Sequence, residues 1–80
     1  MASTSEKMHR YGGYNDGSGV VAYAAGASYI KVRFRHSETV YTYSYASAGK
    51  QHVENMKILA VAGRGLSTYI SRYTHDLFEP

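Results

Sequence analysis

Apolar and basic side chains alternate along residues 29–35, the pattern of a β-strand with one buried and one wet face. The apolar positions are Ile30, Val32 and Phe34, and the basic positions are Lys31, Arg33 and Arg35. Residues 40–45 also alternate, with a tyrosine at every second position. Because successive side chains of a strand point to opposite faces, each segment presents two faces of different chemistry.

A further strand is predicted at Val20–Ala25, where small and β-branched residues follow a glycine-rich lead. Gly26-Ala27-Ser28 and His36-Ser37-Glu38-Thr39 are short connections between the three predicted strands. Short connections favour an antiparallel meander, in which each strand pairs with the next along the chain.

Helical spacing of apolar residues replaces the alternation after residue 49. In Lys50–Ala62, the residues Val53, Met56 and Ala60 share one face, and Ser47 is a candidate N-cap. Gly63-Arg64-Gly65 ends this helix, and residues 66–73 form a short second one. The predicted class is α+β: a three-stranded antiparallel meander followed by two helices packed on one face.

The length of 80 residues predicts a single domain. Residues 1–17, rich in glycine and polar residues, are predicted to be a flexible N-terminal tail, residues 18–74 the domain, and residues 75–80 a C-terminal tail. Tyr11 and Tyr14 either pin the N-terminal tail to the domain or are solvated.

The length of the loop between the second and third strands decides which face the tyrosines take. An even loop brings apolar residues opposite them, in the pairs Phe34–Tyr41, Val32–Tyr43 and Ile30–Tyr45. An odd loop, or a bulge, brings basic residues opposite them, in the pairs Arg35–Tyr41, Arg33–Tyr43 and Lys31–Tyr45. Burial of a tyrosine ring contributes on the order of 1.5–3 kcal/mol, which favours the even loop and core tyrosines. A shift of one residue exchanges the two outcomes.

The composition narrows the compartment but not the partner. The chain has no cysteine, which suits a reducing compartment, and no apolar run long enough for a membrane span or a signal peptide. We therefore expect a cytoplasmic protein with no membrane role. The net charge of +3 is compatible with an anionic partner and equally with an ordinary soluble domain.

Three motifs occur in the order typical of one family: the alternating strand of residues 30–34, Tyr41-Thr42-Tyr43, and the small and glycine residues of 60–65. In this order and spacing the chain resembles the KTSC domain, a small domain also found at the C-terminus of some lysyl-tRNA synthetases. The likeness covers about residues 18–73. It implies the α+β fold, and RNA binding is the activity that has been suggested for the family.

Two groups of residues are candidates for binding an anion. The basic stripe of the second strand could neutralise phosphates while nearby tyrosines stack on unpaired bases; the alternative is a solvated strand face. Free amides beside Arg64 could hold a phosphate; the alternative is a simple helix end. The candidate nucleic-acid-binding residues are Lys31, Arg33, Arg35, Tyr41, Tyr43 and Arg64.

No residue pattern indicates catalysis or a cofactor. The histidines at positions 9, 36, 52 and 75 are too far apart in sequence for a metal motif, and there is no nucleophile motif. We therefore predict a non-enzyme with no metal, cofactor or evident small-molecule substrate.

Two functions remain as hypotheses. The first is a small binding domain for RNA or single-stranded nucleic acid, and the second is a protein-interaction or self-assembly domain. The third strand carries no residue that usually protects a sheet edge, so we expect a homo-oligomer, most simply a homodimer. The alternative is that a helix, or the C-terminal tail through Leu77 and Phe78, covers that edge.

Overall fold

Four antiparallel strands in the order β1-β2-β3-β4 form the sheet of the computed structural model, which describes residues 8–12 and 19–80. The strands are β1 (His9–Arg10), β2 (Val20–Ala25), β3 (Tyr29–Phe34) and β4 (Val40–Ser44). The α+β class and the antiparallel meander are confirmed, but the predicted count of three strands is one too few. The extra strand, β1, lies inside the predicted tail; the rest of that tail, with Tyr14, lies outside the described residues.

Helices follow the sheet without interruption by a long loop. They are α1 (Tyr45–Ala48), α2 (Lys50–Ala62) and α3 (Leu66–Tyr69), and the chain continues from α3 as a π-helix over Ile70–Thr74. The bounds of α2 are those predicted. The predicted second helix is present as α3 and the π-helix, and α1 is an addition.

Tyr45 begins α1 instead of ending the third strand, because Ser44 forms a capping box with Ser47. The Ser44 Oγ accepts from the Ser47 amide at 3.1 Å, and the Ser47 Oγ accepts from the Ser44 amide at 3.0 Å. Ser47 thus helps to cap α1, whereas α2 begins after Gly49, which has a φ of 96° and no side-chain cap.

The tyrosines of β4 share the apolar face of β3, as the even loop predicts. The observed partners are Val32–Tyr41 and Ile30–Tyr43, displaced by two residues from the predicted pairs. A displacement of two keeps every side chain on its face. The cause is the turn, in which the Ser37 amide donates to the Phe34 carbonyl at 3.2 Å and His36 has a φ of 63°.

The core lies between this face and the helices. The predicted face of α2 is buried, and its residues join a cluster with Leu66 and Ile70 of the following helices and with Ile30, Val32 and Tyr43 of the sheet. Gly63 ends α2 with a φ of 81°, the left-handed conformation that glycine adopts most easily. The predicted helix end is therefore confirmed.

Tyr11 joins the beginning of the chain to this core. Its side chain is 1% exposed, and its hydroxyl accepts a hydrogen bond from the Leu66 amide at 3.0 Å. Its own amide donates to the Val21 carbonyl at 3.0 Å, which extends the pairing of β1 with β2. Next to it, Gly12 lies beside Gly63, where an added Cβ would make an ordinary van der Waals contact of 3.6 Å with the Gly12 Cα.

The C-terminal segment covers the outer edge of β4. The Glu79 amide donates to the Thr42 carbonyl at 2.6 Å, the Glu79 carboxylate accepts from the Ser44 hydroxyl, and the Phe78 ring lies 4.8 Å from the Tyr41 ring. Coverage of this edge by the C-terminal tail, one of the alternatives given above, is thus present within the chain, and the homo-oligomer stays a prediction.

The bond between Tyr11 and Leu66 can be tested with Tyr11→Phe. This change leaves the buried Leu66 amide without its acceptor, so we expect the free energy of unfolding to fall by about 1–3 kcal/mol. Tyr23→Phe, on the neighbouring strand, is the matched control and should change it much less. Urea unfolding followed by circular dichroism measures both; equal stability of Tyr11→Phe and the wild type would contradict the structural role of the hydroxyl.

Candidate functional site

The sheet face away from the helices carries a group of cations. Lys31 lies opposite Ala24 on one side and Thr42 on the other, and Arg33 lies between Ala22 and Val40. None of these neighbours is charged. Because β3 is an inner strand of the sheet, its basic residues lie along the middle of this face.

Arg10 adds a cation from β1. It lies opposite Ala22, the same alanine that Arg33 faces from the other side. Because neighbouring strands are about 4.8 Å apart, the backbones of these two arginines are separated by about 10 Å. We call Arg10, Lys31, Arg33 and Arg35 the basic face.

Arg35 lies just past the end of β3 and is exposed. It lines a cavity of about 400 Å³ together with Arg10, Tyr11 and Val21. The register between β2 and β3 shifts at Val21, and such bulges bend a strand and re-aim side chains. Two arginines, a residue type well suited to bind phosphate, thus line one cavity at the end of the basic face.

Among the residues that the structure describes, the ring of Tyr29 accompanies these cations. Tyr29 shares the face of Lys31, whose Nζ lies 5.6 Å from the centre of the tyrosine ring, within the range of a cation–π contact. Tyr23 does not join them, since it lies opposite Val32 and its ring is 5.6 Å from the His9 ring.

The six residues predicted from the sequence therefore do not form one site. Lys31, Arg33 and Arg35 belong to the basic face, whereas Tyr41 and Tyr43 lie on the opposite face of the sheet, beneath the helices. The predicted neighbourhood of tyrosines and cations required the odd loop, and the observed register excludes it.

Arg64 is exposed in the loop between α2 and α3. The sequence predicted free amides beside Arg64 that could hold a phosphate. The first amide of α3, that of Leu66, is not free, because it donates to the Tyr11 hydroxyl. Of the two alternatives for Gly63-Arg64-Gly65, the structure favours the helix end.

Arg10 is the site residue that the sequence did not reveal. A strand of two residues is too short to produce a recognisable alternation, so its pairing partner could not be identified locally. Tyr11 beside it is buried, so of the two alternatives that the sequence left open for this residue, the structure shows the one in which it pins the tail to the domain.

A second group of charged residues, Glu54 and Lys57, contacts residues of the same chain and stabilises the fold. The Tyr45 hydroxyl donates to the Glu54 carboxylate at 2.5 Å, and Lys57 contacts the same carboxylate at 2.9 Å while donating to the Ala27 carbonyl at 3.0 Å. The hydrogen bond from Tyr45, followed by that from Lys57, lowers the pKa of Glu54. This network connects α1, α2 and the β2–β3 turn.

Neither a metal centre nor a membrane span is found in the part of the chain that the structure describes. Its histidine and acidic side chains nowhere gather in threes that could ligate a metal ion. None of its helices combines the length and the apolar character that crossing a bilayer requires.

Comparisons with known proteins gave no match: no family model, no curated protein and no solved structure resembles this chain closely enough to be reported.

The buried Tyr43 makes stability depend on pH in the alkaline range. Desolvation, with a smaller effect of Tyr41, raises the pKa of Tyr43 from 10.0 to about 12. Because the folded pKa is the higher one, the contribution of Tyr43 to stability is complete below pH 10 and is lost as the pH rises through about 12. Tyr43→Phe should therefore lose less stability than the wild type between pH 10 and pH 12.

Urea unfolding at several pH values measures this difference. Tyr73→Phe is the control, since this ring is 53% exposed and its variant should follow the wild type. Parallel loss of stability in Tyr43→Phe and the wild type would show that Tyr43 ionises as freely in the folded protein as in the unfolded one.

Proposed function

We propose that this protein is a small non-catalytic domain that binds RNA or single-stranded nucleic acid through its basic face. The observation that carries the proposal is the strand register, which gives Arg10, Lys31 and Arg33 a common face of the sheet. Lysine and arginine side chains that neutralise phosphates supply most of the affinity of a sequence-independent nucleic-acid interface.

The chemistry of this face fits a single strand better than a duplex. An unpaired base can stack on Tyr29 while the phosphates on either side contact Lys31 and Arg33, a combination typical of single-strand binding surfaces. The cavity between Arg10 and Arg35 would hold a further phosphate at the end of the same path.

We also propose a family and a location for this protein. One is membership of the KTSC domain family, which is supported by the order and spacing of the three motifs described above. The other is a cytoplasmic location, which is supported by the absence of cysteine.

A second candidate is self-association, favoured by apolar residues on the outside of α2. Ile58 is 65% exposed and Val61 is 77% exposed, and a spacing of three residues puts them side by side on the helix. A second copy of this chain could bury that pair against its own. A mass near 8.9 kDa in size exclusion with light scattering, over a wide concentration range, would exclude this candidate.

The nucleic-acid proposal predicts binding of a mixed-sequence single-stranded RNA with a strong dependence on salt. Fluorescence anisotropy at several salt concentrations should give a linear fall of log K with log salt. Each lost phosphate contact should reduce the slope by about 0.7, so Arg33→Gln and Arg10→Gln should both weaken binding and flatten the dependence.

Arg72→Gln is the matched control, because it removes the same charge from an exposed position on the π-helix. Arg72→Gln should weaken RNA binding only slightly, by the effect of one lost positive charge on the whole protein. Absence of binding at low salt, or equal losses in Arg33→Gln and Arg72→Gln, would refute binding through the basic face.

A further inference from the structure

An aromatic cleft opens on the side of the sheet opposite to the basic face. Its volume is about 390 Å³, at the small end of the range of roughly 300–1,000 Å³ that is usual for ligand pockets. The sheet side is formed by aromatic rings, those of Phe34, Tyr41 and Tyr43, with Phe78 from the C-terminal segment.

These rings hold one another edge to face. The ring centres are 5.7 Å apart for Phe34 and Tyr41, 4.8 Å for Tyr41 and Phe78, and 6.2 Å for Tyr43 and Phe78. Each contact is of the T-shaped kind that aromatic pairs prefer, so the rings support each other in a fixed arrangement. The cleft therefore presents both faces and edges of aromatic rings, which an aromatic ligand can contact in the same preferred geometries.

Polar side chains form the helix side. Ser67, Ser71 and His75 line the cleft, and their spacing of four residues places them along one side of α3 and the π-helix. Segments of π-helix are rare and occur frequently at functional sites. The cleft therefore offers an aromatic wall on one side and hydrogen-bonding groups on the other.

The Tyr43 hydroxyl adds a polar group on the sheet side. Tyr43 is 1% exposed, and within the described part of the chain no hydrogen bond to its hydroxyl contributes to the electrostatics of this group. Every fully enclosed side-chain oxygen or nitrogen there has a partner, so the small exposed part of Tyr43 must include this hydroxyl oxygen. The neighbouring open space is the cleft that Tyr43 lines.

The charge of the lining limits the ligand. None of the nine residues that line the cleft within the described part of the chain is Lys, Arg, Asp or Glu. A fully charged ligand would lose its hydration there without gaining an opposite charge. The favoured ligand is therefore neutral.

We propose that this cleft binds a neutral planar aromatic molecule of one or two rings with hydrogen-bonding groups along its edge, the chemistry of a nucleobase or nucleoside. The ring lies against the aromatic wall, and its edge meets the serine hydroxyls, His75 and the Tyr43 hydroxyl. This site is on the other face of the sheet from the basic face, so it does not depend on the function proposed above.

Adenosine titrated into the full chain, with amide shifts followed by NMR, tests the proposal. Saturable shifts at Ser67, Ser71 and Tyr43 are expected at adenosine concentrations on the order of 1 mM, the affinity range of small fragments. Ribose, which lacks the aromatic ring, should produce none of them.

Paired variants separate the cleft from the rest of the surface. Ser71→Leu should fill the cleft and weaken adenosine binding at least about tenfold, whereas Thr68→Leu, equally exposed but outside the lining, should leave it unchanged. Tyr43→Phe removes a hydroxyl whose electrostatics show no hydrogen bond within the described part of the chain, so it should weaken binding about fivefold and leave the melting temperature near that of the wild type. A thermal melt of each variant shows that it is folded.

A second titration, with a short oligoadenylate, shows whether the cleft binds a free nucleoside or also a base within a strand. Shifts at the cleft with both ligands, or with adenosine alone, support the proposal and tell whether a base within a strand can also enter. No shift at the cleft, shifts with the oligoadenylate alone, equal shifts with ribose, or unimpaired binding by Ser71→Leu would overturn it.

Discussion

The hydrogen bond from the Leu66 amide to the Tyr11 hydroxyl joins two parts of the chain that are 55 residues apart. The ring of Tyr11 fills the core, and its hydroxyl satisfies the first amide of α3, which would otherwise be buried without an acceptor. A buried amide without an acceptor lowers the stability of the fold. The hydrogen bond to Tyr11 therefore favours the position of β1 beside β2. Because successive side chains alternate, fixing Tyr11 in the core also fixes Arg10 on the opposite face. One buried hydroxyl thus determines both the fourth strand and the outermost cation of the basic face.

The same alternation divides the whole sheet into two chemistries. Ile30, Val32 and the β4 tyrosines face the helices, and Lys31 and Arg33 face away from them. Within the described residues, the edge of β4 is occupied by the Glu79 amide and covered by Phe78. The surfaces that suit a partner include a cationic face for phosphates, an aromatic cleft for a neutral ring, and the exposed apolar pair Ile58 and Val61 on α2.

Local patterns predicted much of this fold. The alternation in residues 29–35 identified β3 and its two faces, and the apolar spacing of Lys50–Ala62 identified α2 with its observed bounds. The even loop gave the correct face for Tyr41 and Tyr43, because an error of two residues in the pairing does not change the face.

The remaining features depend either on long-range contacts of β1 or on short-range contacts, at His36 and Ser44, that the alternation of side chains does not reveal. β1 has two residues and exists through its pairing with β2 and the contact of Tyr11 with Leu66. Its absence from the prediction removed Arg10 from the candidate site. The turn at His36 displaced the strand pairs, and the capping box of Ser44 moved Tyr45 from the strand into α1. Tyr41 and Tyr43 could be assigned to a binding face only if the cations were their neighbours, and the register separates the two groups.

We propose that the face set by this register is the one that binds nucleic acid. The most direct measurement is an NMR titration of the full chain with a single-stranded RNA, mapped residue by residue. The largest amide shifts are expected at Arg10, Tyr29, Lys31 and Arg33, with little change at Ile58 and Val61 on the outside of α2. Largest shifts on α2 or around Arg64, with the amides of the basic face unaffected, would contradict it.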